Sequence, residues 1–297
     1  MKELVIISGK GGTGKTTLVA AFAVLAEGKV LCDADVDAAD LHLIMDPAVQ
    51  ERHDFTGGHT AVINSDKCTQ CELCRDLCRW DAISEDFVVD SIECEGCGVC
   101  YYFCPEKAID FPENTCGQWF ISNTRFGPMV HASLGIAEEN SGKLVTLVRQ
   151  EAKKLAEKNQ LNLILTDGPP GVGCPVIASI GGATAVLIVA EPTVSGKHDM
   201  ERVVQLASHF RVPCLLCINK YDLNLAETEA LEALAESKGV GIVGKIPFDP
   251  TFTKAMVQGK TILEFDGGAL GTEAVLTVWS NLSEALKMWK PLPHSAN

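Results

Sequence analysis

Strand-length apolar runs at 3–8, 30–35, 162–167, 185–190, 213–218 and 241–246 alternate with helical stretches along most of the chain. Alternation of this kind predicts a doubly wound, mostly parallel α/β sheet. Cys32, Cys214 and Cys217 fall inside these runs and read as small buried hydrophobes. Strand geometry sends Cys214 and Cys217 to opposite faces, which speaks against a shared ligand. Near the end, Val275, Trp279, Leu282, Leu286 and Trp289 recur at 4-3-4-3 spacing. That stripe predicts a helix packed on the sheet, since it lacks the basic face that a membrane-surface helix needs.

The longest uninterrupted apolar run, 18–26, is too short to span a bilayer, and the start of the chain shows no basic region or cleavage site before "LVII". A soluble, cytoplasmic protein without stable membrane insertion is expected. With 297 residues there is room for one large α/β domain and a small module. Only 25 Lys and Arg stand against 39 Asp and Glu, a net charge of -14, which argues against nucleic acid as a partner.

Between 60 and 110 the alternation gives way to a repeat. Shifting the sequence by 26 residues lays Cys68, Cys71, Cys74 and Cys78 on Cys94, Cys97, Cys100 and Cys104, and Ala82-Ile83 on Ala108-Ile109. Each half reads as a short strand (61–64 and 87–90), a turn, and C-x2-C-x2-C-x3-C leading into a helical turn. The 13 cysteines are an odd number, and eight crowd into 68–104, a pattern that fits metal ligation better than disulfides. Structural zinc also uses C-x2-C pairs, but usually with a long loop between two pairs. Three thiolates at this spacing can wrap one face of an iron-sulfur cubane, while the fourth is carried off by the helical turn.

The pattern resembles bacterial two-cluster ferredoxins. That resemblance implies crossed ligation, with Cys68, Cys71, Cys74 and Cys104 on one [4Fe-4S] cluster and Cys94, Cys97, Cys100 and Cys78 on the other. Pro105 keeps the family's proline after the fourth cysteine; Arg79 and Trp80 follow Cys78 instead. The segment holds too little apolar mass to fold alone, so the clusters would serve as its core.

Upstream, "ELVIISGKGGTGKTTLVAAFAVLAEG" reads as strand, glycine-rich loop and helix. Gly9 to Thr16 satisfies G-x4-G-K-T. In such a loop Gly9, Gly11, Gly12, Thr13, Gly14 and Thr17 would present N-H groups to phosphates, Lys15 would reach the β and γ oxygens, and Thr16 would place its hydroxyl on Mg2+. The additional Lys10, in K-G-G-T-G-K-T-T, makes the chain resemble the deviant P-loop ATPases of the MinD, ParA, Mrp and nitrogenase iron protein group. The resemblance implies that Lys10 reaches the nucleotide of a partner subunit, so that ATP joins a homodimer or a heterodimer with a close homologue. Asp35, at the end of a strand, would position the attacking water. Asp33, Asp37 and Asp40 would approach hydrated Mg2+ or cap the next helix. Asp167 would hold a Mg2+-bound water, Asn219 in "CINKYD" would read the base edge, and Pro247 in "KIPFDP" would lie beside the ring. N-K-x-D also occurs in GTPases, so ATP over GTP follows from the resemblance alone.

Together these features resemble MinD-superfamily ATPases carrying an inserted two-cluster ferredoxin domain. The expected organisation is a P-loop domain over 1–54 and 113–297, with the bacterial-ferredoxin-like α+β module at 55–112. The implied function is an ATPase, slow without its partner, whose nucleotide-dependent dimerisation gates electron transfer to a redox or iron-sulfur protein. The alternative is an Mrp- or MinD-like assembly or positioning factor with clusters as cargo, sensor or structure. Cys174 lies seven residues beyond Asp167, the offset of a cluster ligand in the nitrogenase iron protein. A shared cubane would also need Cys116, and the bland alternative is that Cys174 packs at a helix start.

Overall fold

The computed structural model describes residues 1–135 and 141–288. Its strands are β1 (Lys2–Ser8), β2 (Lys29–Asp33), β3 (Ala48–His59), β4 (Val62–Ile63), β5 (Ile109–Asp110), β6 (Glu113–Thr124), β7 (Gly127–Leu134), β8 (Leu163–Pro170), β9 (Ala185–Ala190), β10 (Cys214–Asn219) and β11 (Gly241–Ile246). The helices are α1 (Lys15–Leu25), α2 (Leu41–Met45), α3 (Leu73–Leu77), α4 (Val99–Phe103), α5 (Ser141–Lys158), α6 (Cys174–Ile180), α7 (Val194–His209), α8 (Leu225–Ser237), α9 (Thr251–Val257), α10 (Ile262–Phe265) and α11 (Leu270–Met288). The chain divides into two compact units. One comprises Met1–Arg52, Trp119–Ser133 and 141–288, and the other His53–Gln118 with 134–135.

In the first unit, all six strands expected from the apolar runs form and pair in parallel. β1 lies between β8 and β9, β2 pairs with β8, β10 with β9, and β11 with β10. The full order is β11-β10-β9-β1-β8-β2-β7-β6-β3, so three strands extend the edge beyond β2. These three carry no strongly apolar run, which is why the alternation of the sequence does not reveal them. Most β3 residues are exposed. Arg125, in the two-residue turn from β6 to β7, donates to the carbonyls of Ile44 and Gly259 at 2.7 Å each and pairs with Glu264 at 2.8 Å.

Period-two alternation splits the buried strand side chains between two helical layers. Leu4, Ile6, Leu187, Val189, Leu215 and Cys217 face α1 and α11, whereas Val5, Ile7, Val186, Ile188, Leu216 and Ile218 face α6, α7 and α8. Cys217 and Cys214 thus pack on opposite layers, and burial pushes both thiols up to about 12. Burial likewise raises the Cys32 thiol. In α11, Val275, Leu282 and Leu286 enter the core, and the Trp279 ring stacks obliquely on Phe22 with centroids 5.2 Å apart. Trp289 lies outside the described residues. No helix among the described residues is long and apolar enough to cross a membrane.

The second unit shows the repeat in its backbone. Gln70, Glu72 and Asp81 adopt left-handed φ of 54°, 65° and 50°, and their mates 26 positions on, Gly96, Gly98 and Lys107, adopt 58°, 72° and 50°. Asn64 N donates to Ala108 O at 2.7 Å, and the equivalent Asp90 N donates to Ala82 O at 2.8 Å. The antiparallel pair of β4 and β5 joins Ile63 to Ile109; its counterpart shrinks to a single bridge between Ile83 and Val89. The strand expected at 87–90 is therefore reduced to that bridge, because its segment pairs over one residue only.

Candidate functional site

The switch point of the sheet lies beside β1, whose successor β2 is reached to one side while β9 and β10 lie on the other. Ligands of doubly wound folds sit at the carboxyl ends of the strands at such a point. Here the chain leaves β1 after Ser8, turns through Gly12 and Gly14 with φ of 80° and 86°, and enters α1 at Lys15. A Cβ at Gly14 would also lie 2.5 Å from the Asn219 amide nitrogen, so glycine is required twice over.

This loop forms the floor of a cavity of about 500 Å³. Gly11 to Thr17 line it, with Asp35, Asp40, Asn219 and Pro247; Gly9 and Lys10 instead face a small cleft on the side of β9. Lys15 is 6% exposed and pairs with Asp167 Oδ1 at 2.6 Å and Asp35 Oδ2 at 3.2 Å. Burial opposes the charge on Lys15, but the two carboxylates prevail and hold its pKa above the ordinary lysine value. Asp33 is fully buried beneath them, and its Oδ1 accepts from Asp35 N at 3.2 Å. Burial, reinforced by the charge of Asp167, pushes the Asp33 carboxyl well above the usual range. Asp35 is also raised, chiefly by burial and against the pull of Lys15, and burial alone raises Asp37. Asp33 Oδ2 and Asp167 Oδ2 are buried without a hydrogen-bond partner. Two orphan carboxylate oxygens beside a buried ammonium are what a hydrated divalent cation would satisfy.

At the other end of the cavity, Asn219 Nδ2 donates to Thr13 O at 2.7 Å and its Oδ1 accepts from Lys220 N at 3.1 Å. The side chain expected at a base edge thus ties β10 to the P-loop. Asn219→Ala is expected to weaken nucleotide binding about tenfold, some 1.5 kcal/mol, by freeing the Thr13 carbonyl and loosening the loop. Titration with a fluorescent ATP analogue measures it. Further residues that the sequence does not single out also line the cavity, among them Lys220, Phe248, Phe252 and Met256. Lys220 and Phe248 adjoin residues already singled out, and Phe252 and Met256 stand one helical turn apart on α9, a weak signal without the pocket.

In the second unit the eight repeat cysteines border two small cavities of about 20 Å³ each. Cys68, Cys71, Cys74 and Cys104 line the first, with Ile63, Leu73 and Ile109. Cys78, Cys94, Cys97 and Cys100 line the second, with Trp80, Ile83 and Phe111. Burial raises the Cys74 and Cys100 thiols, and neighbouring cysteines add to it. Among the described residues no three His, Cys, Asp or Glu side chains converge closely enough for a single metal ion. A cubane spreads its thiolates around four irons and needs a wider cage. Cys116 is buried in this unit, its thiol 3.0 Å from Gly57 O. Cys174 is exposed in the first unit, at the first residue of α6.

Residues 4–262 match the CobQ/CobB/MinD/ParA nucleotide binding domain. An uncharacterized protein of Methanocaldococcus jannaschii is 32% identical over 285 residues, 95% of this chain and 96% of its own length. Pyruvate synthase subunit PorD of Methanothermobacter marburgensis is 38% identical over 47 residues, 16% of this chain and 58% of its own. The septum site-determining protein MinD of Pyrococcus horikoshii, solved as a complex with Mg-ADP, shares the fold with a TM-score of 0.60 at 19% identity, over 96% of both chains. The sheet order, the P-loop and the match over most of its length agree: the chain belongs to the CobQ/CobB/MinD/ParA family of P-loop ATPases.

Proposed function

We propose that this ATPase uses ATP-driven dimerisation to control electron delivery from two [4Fe-4S] clusters held in its second unit. The observation that carries the reading is the sorting of eight cysteines into two cavities, each bordered by three cysteines of one repeat and the fourth of the other. The donor set fits the group: four cysteine sulfurs in a mostly apolar lining, with one carboxylate at each cavity, Glu106 and Glu95, suit an iron-sulfur cluster better than a hard cation. When bound, the clusters supply one-electron transfer. The 47-residue likeness to PorD supports a ferredoxin-type insertion, for which we take 55–112 as the extent.

In the first unit, the P-loop amides and Lys15 would bind the triphosphate, Thr16 would ligate Mg2+, and Asp167 would hold one of its waters. The orphan oxygens of Asp33 and Asp167 support that ion's presence. On nucleotide entry Lys15 would turn from Asp35 to the phosphates, freeing Asp35 to orient water in line with the γ-phosphate. Leu43 and Ile44 of α2 line the cavity, and the chain runs from α2 directly into β3, whose last residues belong to the second unit. A nucleotide that reorders α2 would thereby act on the segment leading to the clusters.

Lys10→Ala is expected to bind ATP yet stay monomeric by light scattering. Asp35→Ala should bind and dimerise but hydrolyse at least about tenfold more slowly, because only water positioning is lost. Lys10→Ala dimers would remove the reading in which Lys10 reaches the partner's nucleotide, and near-normal Asp35→Ala turnover would pass the role to another acid. For the gating itself, dithionite-reduced protein is mixed with a soluble electron acceptor with and without ATP. A rate that ATP leaves unchanged, together with cluster transfer to an apo-ferredoxin, would make the clusters cargo.

A further inference from the structure

A small cleft lies beside the P-loop, lined by Gly9, Lys10 and Thr13 on one side and by Glu191, Gly196 and Asp199 on the other. Glu191 directly follows β9. Its carbonyl accepts from Thr193 N at 2.8 Å, and Gly196 approaches so closely that a Cβ there would lie 2.3 Å from the same oxygen. The Glu191 backbone is therefore pinned at the start of α7. Its carboxylate is shared between two ammonium groups: Oε2 is 3.4 Å from Lys10 Nζ and Oε1 is 2.5 Å from Lys220 Nζ. Lys220 Nζ also donates to Gly12 O at 3.3 Å. The Glu191 side chain is 15% exposed, that of Lys10 41%.

We propose that Glu191 is a positioning residue that holds Lys10 on its own subunit and so competes with the phosphates of a second copy for that lysine. The inference rests on the reading of Lys10 given above. One carboxylate serving two cations makes the hand-over feasible. When Lys10 swings away, Lys220 stays on Glu191, so no partly buried carboxylate is left unpaired. A triphosphate carries more negative charge than one carboxylate and wins the lysine; without nucleotide, Glu191 keeps it. Glu191 does not line the nucleotide cavity, so its effect falls on association rather than on ATP binding within one subunit.

The test is the protein concentration at which half the chain is dimeric with a non-hydrolysable ATP analogue and Mg2+, read by sedimentation velocity for wild type, Glu191→Gln and Glu191→Asp. Monomer affinity for a fluorescent ATP analogue is measured in parallel. A half-exposed ion pair is weak, so Glu191→Gln is expected to lower that concentration about threefold to tenfold, while Glu191→Asp, which keeps the charge, stays near wild type. A dimer midpoint unchanged in Glu191→Gln overturns the inference and leaves the dimer reading intact. Weaker analogue binding by the Glu191→Gln monomer, with no gain in association, also overturns it, because Glu191 would then merely brace the P-loop through Lys220. If wild type and Glu191→Gln both stay monomeric with the analogue, the dimer reading falls and the competition falls with it.

Discussion

Lys15→Ala is expected to bind ATP roughly 100-fold to 1,000-fold more weakly, because the charge-assisted contacts proposed between Lys15 and the β- and γ-phosphates would be lost together. The same change should destabilise the nucleotide-free protein by about 3 kcal/mol, since it strips the cation from the buried carboxylates of Asp35 and Asp167. Calorimetric titration and urea unfolding measure the two effects separately. Lys15→Arg separates them chemically: the charge is kept, so most stability should remain, but the planar guanidinium does not fit the compact place of an ammonium. The stability loss should also depend on pH. Asp33 in the fold already has a raised pKa, and without Lys15 it rises further. A carboxyl whose folded pKa exceeds its unfolded value takes up a proton on folding, so the stability it contributes falls as pH rises through the folded value. The Lys15→Ala penalty should therefore shrink on acidification. An apo variant as stable as wild type would show that the Lys15 pairings contribute nothing.

Pairs of cysteine substitutions are expected to separate by cavity rather than by repeat. Cys68→Ala combined with Cys104→Ala should leave one cluster, about 4 Fe per chain, whereas Cys68→Ala combined with Cys78→Ala should leave none. Ligation within each repeat predicts the reverse, so iron counting with visible absorption decides between them. Full iron removal should have a larger consequence. Among the described residues, the buried side chains of the second unit are Phe55, Ala61, Ala82, Ile83, Ala108, Ile109 and Cys116, too few to form a core. Chelated protein should become open to proteolysis within 53–118 while the first unit still binds nucleotide. A protease-resistant apo module would show that the clusters are guests of a self-sufficient fold. Wild type loaded to about 8 Fe, with Cys174→Ser unchanged in iron, would exclude Cys174 as a cluster ligand; about 10 Fe would require a third, shared cluster.

The six parallel strands could be read from the chain because a strand covered by helices on both faces must be apolar along its whole length. The extension through β7, β6 and β3 could not, since Gly, Ser, Thr, Asn and His interrupt the apolar residues of β7 and β6, and the edge strand β3 looks like a loop in composition. The P-loop was legible for a different reason: its spacing is set by the reach of backbone amides around a phosphate, and only glycine tolerates the required φ at Gly12 and Gly14. Asn219 shows where such reasoning stops. Its place in N-K-x-D suggested a base contact, but which way an amide points depends on neighbours contributed by distant segments, here Thr13.

By itself, the sequence determined the elements whose cause is local: apolar runs, glycine turns, helix stripes, and a cysteine repeat whose 26-residue period reappears in backbone φ angles. What only the tertiary structure decided is which separated side chains meet. Lys15 lies 20 and 152 positions from the two aspartates that hold it, and Glu191 finds Lys10 and Lys220 from a third segment. Charges attract at a few ångströms whatever their separation along the chain, so those pairings exist only after the parallel sheet has brought its strand ends together.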